Sequence, residues 1–258
     1  MCDIKPGSIF MRTNNIIFVM FLCLMMANSS INADQHEFVE VEENAEEEAI
    51  IQADIVLIGA SYLHHWELEK LSCASVYNVG IDGNQSTDMK NRFNQDAVAL
   101  KPKGVVIWGF INDLHSQPKE DIAQTVSQIK NNFKLMVEQA RRNDVVPVLV
   151  TEVTIAESKS LKWQFMSWLG ELRGKQSYQK FINSNVMSIN KWLREYASDN
   201  NLTILDFEQL LINDEGSRLD IYAQADGSHL TKSAYRLINR FARRILLKEL
   251  IDGHNFCL

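Results

Sequence analysis

The sequence predicts an α/β fold built on a mainly parallel five-stranded sheet in flavodoxin-like order, with helices on both faces. Three observations predict it. Short, apolar, β-branched runs recur along the chain, the form taken by parallel strands buried on both sides. The segments between them carry apolar residues at helical spacing, so strands and helices alternate. Finally, right-handed crossovers leave few sheet orders open to such an alternation.

The first run, Ile55 to Ser61 (IVLIGAS), ends in Gly-Ala-Ser and carries Ser61 to the carboxyl end of its strand. Open α/β sheets bind ligands just outside those ends. Tyr62 to Ser72 reads as a short helix or loop. His64 and His65 beside Trp66 suggest surface or pocket-wall roles rather than metal ligation, because adjacent histidines diverge and no His or Cys recurs at ligand spacing.

The second strand, Ser75 to Val79, opens into Gly80-Ile81-Asp82-Gly83-Asn84-Gln85-Ser86, whose glycines suit a tight turn. Helical spacing of Met89, Phe93 and Val98 follows. The third strand, Gly104 to Trp108, ends in Gly109-Phe110-Ile111-Asn112-Asp113, and a long amphipathic helix then runs from about Lys119 to Arg142. The fourth strand is Val145 to Val150, with Pro147 best placed near a strand start or edge, and Glu152 lies two residues beyond it as a candidate border of a pocket.

Residues 157–183 read as an excursion over the carboxyl end of the sheet. Trp163, Phe165 and Trp168 either shape a substrate pocket there or pack on one another. A helix from Val186 to Ala197 and a fifth strand from Leu202 to Leu205 follow, closed by Asp206-Phe207. Ile212 to Gln224 reads as a surface loop turning at Glu215-Gly216. The last helix takes Thr231 as its N-cap and buries Ala234, Leu237, Ile238, Phe241, Ile245 and Leu246.

Organisation outside the domain is read from composition. Of the 258 residues, 1–33 carry basic residues and then an apolar run from Ile16 to Ala27, the pattern of a signal peptide. Met11 offers an alternative start, and an uncleaved N-terminal anchor is the second reading. Cys23 has no small residues before it and is not read as a lipid-attachment site. Residues 34–50 form an acidic linker, and 51–258 the domain. An exported chain would keep Cys73 and Cys257, either bridged or as two free thiols. The net charge of −7 argues against a nucleic-acid partner. A membrane is expected only through an uncleaved leader.

Four groups then fall on loops at one end of the sheet: Ser61, Gly83, Asn112 and the run Asp226-Gly227-Ser228-His229 before the closing helix. A serine hydroxyl needs a base to become a nucleophile, and His229 is the candidate. Asp226, three residues earlier, suits the role of orienting the imidazole. The backbone N–H groups of Ser61 and Gly83 with the Asn112 amide would supply oxyanion donors. Taken by itself, Asn112 is better read as turn chemistry alone.

These residues resemble the SGNH hydrolases, also called GDSL-type esterases and lipases. Ile58-Gly59-Ala60-Ser61, Gly80-Ile81-Asp82-Gly83-Asn84, Gly109-Phe110-Ile111-Asn112-Asp113 and Asp226-Gly227-Ser228-His229-Leu230 match the family's four blocks in order. The resemblance implies a three-layer α/β/α sandwich and a serine esterase needing no cofactor or metal. Ser61, Asp226 and His229 would be its triad, and Ser61, Gly83 and Asn112 its oxyanion hole. Two departures stand out: Ala60 replaces the usual aspartate, and Phe110 the usual glycine. Phe110, with Glu152, Trp163 and Trp168, is a candidate substrate-binding residue. The expected substrate is a small-molecule or glycan ester, leaning to a carbohydrate acetate, with lipid or thioester acyl groups next. An acyltransferase and a non-catalytic glycan-binding protein are the rival classes.

Overall fold

The computed structural model describes residues 53–68, 70–71, 74–156 and 177–251. Six strands form its sheet: β1 (Ile55–Gly59), β2 (Lys70–Leu71), β3 (Ala74–Asn78), β4 (Gly104–Trp108), β5 (Val146–Val150) and β6 (Thr203–Leu205). Their order is β2-β3-β1-β4-β5-β6. Five of them pair in parallel, in the flavodoxin-like order that the sequence predicts. The sixth, β2, is a two-residue antiparallel addition at the edge, where a helix or loop was expected.

The register explains the apolar runs. Every residue of β1 and of β4 is buried, since each strand has a neighbour on either side and helices above and below. Pro147 is the second residue of β5 and lies opposite Val105, so its missing N–H falls at the strand start, as its sequence position suggested.

The helices are α1 (Ser61–His64), α2 (Ser86–Asp96), α3 (Ile111–Ser116), α4 (Ile122–Arg142), α5 (Tyr178–Asp199), α6 (Phe207–Leu211) and α7 (Lys232–Leu246). One layer holds α4 in contact with α2 and with α5, and the other holds α6 against α7. Aromatic rings fill the second layer: Trp66, Trp108 and Phe207 meet edge to face, with Tyr62 on Trp108 and Phe241 on Phe207. Thr231 caps α7 as expected, accepting from the N–H of Ala234.

Two expectations need correction. The irregular stretch ends sooner than residue 183, because α5 starts at Tyr178 behind a Ser177 cap that accepts from Lys180. Asn183 and Asn190 on this helix then bond the backbone of Ile155 and Glu152, which fixes the strand extension after β5. Likewise, the 212–224 stretch does turn, at Gly216, but Arg218 within it is 2% exposed. A side chain predicted at the surface is therefore part of the interior.

The leader and linker, Cys73, Cys257, Trp163, Phe165 and Trp168 lie outside the described residues. Among the described residues, no helix is long and apolar enough to cross a membrane.

Candidate active site

Ser61 is placed by the abrupt end of β1. A side chain at Gly59 would lie 2.0 Å from the Trp108 carbonyl, so only glycine lets β1 close on β4 there. The Ala60 N–H bonds that same carbonyl, and the chain turns straight into α1 with Ser61 as its first residue. A first-turn N–H has no partner within its own helix, so the Ser61 amide is open to an outside acceptor.

The second loop brings up Gly83. Its φ of +77° is a left-handed conformation that glycine adopts without strain, and an added Cβ would meet nothing within 4 Å. Gly80 differs: it is packed against α1, where a Cβ would fall 2.5 Å from the His64 nitrogen. Gly83 is thus the glycine of this loop that faces open space.

The third loop joins the second directly. Asn112, half-buried on α3, donates from its Nδ2 to the Asn84 carbonyl at 3.0 Å. An amide nitrogen carries two hydrogens, which leaves one for another acceptor. Below it, Asp113 is buried and accepts from the Ser86 N–H (2.8 Å) and hydroxyl (2.6 Å), and Asn132 of α4 donates to the same hydroxyl. Burial pushes the Asp113 carboxyl up to about 6 despite the bonds from Ser86.

Phe110 and Glu152 do not line a pocket, contrary to expectation, since both are fully buried. The Phe110 ring packs edge to face on Phe133 of α4, where its apolar surface is removed from water. Glu152 turns inward to accept from the N–H groups of Phe110 (2.8 Å) and Ile111 (3.2 Å) and from the Trp108 indole (3.2 Å). It is a buried clamp on the Asn112 loop. Burial raises its pKa, against the opposing pull of those donors.

The fourth loop carries Asp226 and His229. His229 Nδ1 lies 2.6 Å from Asp226 Oδ2, while Asp226 Oδ1 accepts from the backbone N–H groups of Ser228 (2.9 Å) and His229 (3.0 Å). Gly227, at φ +76°, makes the turn between them. Burial pulls the Asp226 carboxyl upward, but the bonds from His229 and Ser228 outweigh it and hold it below the ordinary aspartate value. An ionised acceptor at Nδ1 assigns the proton to that nitrogen and leaves the lone pair on Nε2. Both side chains are nearly half exposed, at 44% and 48%, so the pair opens to solvent.

One bond ties this loop to the first. The Tyr62 hydroxyl donates to the Ser228 carbonyl at 2.8 Å, joining the residue after Ser61 to the residue before His229. Sequence reasoning passed over Tyr62, whose only signal is adjacency to Ser61, and over Arg218, which has none. His64 and His65 end α1 at the surface with Asp82 at 3.9 and 3.7 Å. Among the described residues no three acidic, His or Cys side chains group to hold a metal.

Fold and block order together define an SGNH-type α/β sandwich. The chain belongs to the GDSL-like Lipase/Acylhydrolase family, whose pattern matches residues 59–237 and so takes in Ser61, Gly83, Asn112, Asp226 and His229. The Bacillus subtilis uncharacterized lipoprotein YqeF is 21% identical over 169 residues, covering 63% of this chain and 70% of its own. A GDSL-like lipase from Bacteroides thetaiotaomicron superposes with a TM-score of 0.60 at 20% identity, covering 76% of this chain and 89% of the other. An acetyl xylan esterase from Geobacillus stearothermophilus does so with a TM-score of 0.53 at 14% identity, covering 78% and 96%.

Proposed function

We propose that the protein is an exported serine esterase that cleaves acyl esters through an acyl-Ser61 intermediate. The observation that carries this reading is the Asp226–His229 pair, with Nδ1 held at 2.6 Å from a carboxylate and its loop bonded to the residue beside Ser61. In the first step the Ser61 oxygen attacks the ester carbonyl carbon and its proton passes to His229 Nε2. The tetrahedral oxyanion is met by the N–H groups of Ser61 and Gly83 and by the spare hydrogen of the Asn112 amide. The alcohol leaves with the proton from His229. Water, deprotonated in turn by His229, then attacks the acyl carbon, the bond to the Ser61 oxygen breaks as that oxygen takes the proton back from His229, and the acid is released.

Export is supported by the leader pattern of residues 1–33 and by a relative that is a lipoprotein. A carbohydrate acetate as substrate is supported by the likeness to an acetyl xylan esterase and by Trp163 and Trp168, whose ring faces suit sugars. Lipid acyl groups are the second reading, favoured by the likeness to a lipase.

Initial rates on p-nitrophenyl esters from acetate to palmitate, for the mature protein and a folded Ser61→Ala control, test the proposal. Turnover is expected in the parent and at least about 10³-fold less in the control. A short-chain optimum would favour an acetyl pocket, a long-chain optimum the lipid reading. Equal rates in parent and control would remove Ser61 from the mechanism.

A further inference from the structure

Arg218 is among the largest fully buried side chains of the molecule, although it lies in a stretch that reads as surface loop. It is held by oxygens from three segments. Its Nε donates to the Thr154 carbonyl at 2.7 Å, beyond β5. Its Nη2 donates to the Ser228 carbonyl at 2.6 Å, with the Gly227 carbonyl and the Tyr62 hydroxyl each at 3.3 Å. The guanidinium also lies 5.6 Å from the centre of the Tyr62 ring.

Tyr62 is itself fixed. Its ring is buried against Trp108, and its carbonyl accepts from the Tyr235 hydroxyl of α7 at 2.9 Å. The Ser228 carbonyl therefore receives two donors, Tyr62 Oη and Arg218 Nη2, one of them on the residue that follows Ser61. His229 follows Ser228 directly. A guanidinium suits this place because Nε and Nη2 of its planar fork reach separate oxygens at fixed angles, which a lysine ammonium does not do, although its Nη1 is buried without a hydrogen-bond partner among the described residues.

We propose that Arg218 and Tyr62 are positioning residues that set the His229 loop against the Ser61 turn. The inference rests on the esterase reading of Ser61 and His229. Proton transfer needs the two side chains within hydrogen-bond reach, and a displacement of about 1 Å reduces rate by about 10². Neither positioning residue need touch substrate. Their loss acts on kcat, through the placement of the base, rather than on KM.

The test compares Tyr62→Phe and Arg218→Lys with the parent. Tyr62→Phe keeps the buried ring and removes one hydroxyl, so it guards against a misfolded Arg218 variant. Rates on p-nitrophenyl acetate, thermal unfolding and the His229 imidazole resonances in ¹H–¹⁵N NMR are measured for each. Tyr62→Phe is expected to lower kcat about 10-fold and Arg218→Lys about 10²-fold, with KM within about twofold. The His229 resonances shift or broaden in both. A fall in melting temperature with kcat unchanged would make the two residues merely structural and overturn the proposal. A parent with neither turnover nor phosphonate labelling at Ser61 would sink the esterase reading instead. The imidazole resonances then decide the positioning claim alone, and resonances identical to the parent's in both variants overturn it.

Discussion

Asn112 and His229 lie at the same end of the sheet on loops built in contrasting ways. Behind Asn112 stand Glu152, which accepts from two backbone N–H groups and an indole, and Asp113 with Ser86 and Asn132, all of them buried. The His229 loop has its side chains nearly half in water. It is bonded to the interior through its backbone carbonyls, by Tyr62, Arg218 and the Ala156 N–H. On the proposed mechanism Asn112 would meet a developing charge, and such a donor gains from a rigid, dry mounting. His229 as the proposed base would exchange protons with water through an open side chain, and the loop's ties to the interior then come from its backbone. The comparison teaches that fixed geometry and solvent access are compatible when the peptide groups carry the anchoring bonds.

The comparison predicts that activity and stability separate between the two loops. His229→Ala has the largest expected effect: a loss on the order of 10⁴ in kcat, with a melting temperature within about 2 °C of the parent's. Ester hydrolysis and calorimetry on one preparation check it. A large drop in melting temperature would show the exposed imidazole to be structural and erase the contrast. Glu152→Ala comes next, because it strands the Phe110 and Ile111 N–H groups and leaves a cavity. Urea unfolding should show a destabilisation of about 3–5 kcal/mol. A loss below about 1 kcal/mol would mean that the Asn112 loop has other sufficient support.

Much of this was legible because strands buried on both faces have only apolar residues to offer. β4 matches its expected limits for that reason, and β1 stands out as five consecutive buried residues. Asp226 and His229 were legible because a three-residue spacing in one loop allows the contact locally. Glu152 was misread because a carboxylate past a strand suits a pocket as well as a backbone clamp, and only the position of the Phe110 and Ile111 amides decides. Arg218 was misread for a stronger reason. Three of its four acceptors are carbonyls, at positions 154, 227 and 228, and a carbonyl leaves no mark on the identity of its residue. The start of α5 lay hidden in a polar stretch although Ser177, Phe181 and Ile182 carry the cap and the first buried turn.

The smallest expected effect concerns pH, where the two loops should respond in opposite senses. Asp113 has its folded pKa raised to about 6, so its contribution to stability is complete below the ordinary aspartate value and is lost as pH rises through 6. Asp226 has its folded pKa lowered, so its contribution is present above the ordinary value and is lost as pH falls below it. Between pH 5 and pH 7 only Asp113 changes charge of the two, and linkage puts its effect at about 1 kcal/mol. Asp113→Asn cannot titrate, which separates this contribution from that of the histidines. Urea unfolding of parent and variant at both pH values should show the parent losing about 1 kcal/mol relative to the variant on going to pH 7. A constant difference would mean that Asp113 is already ionised at pH 5. The bonds from Ser86 would then outweigh its burial, and the mounting of Asn112 would be electrostatically the same as that of His229.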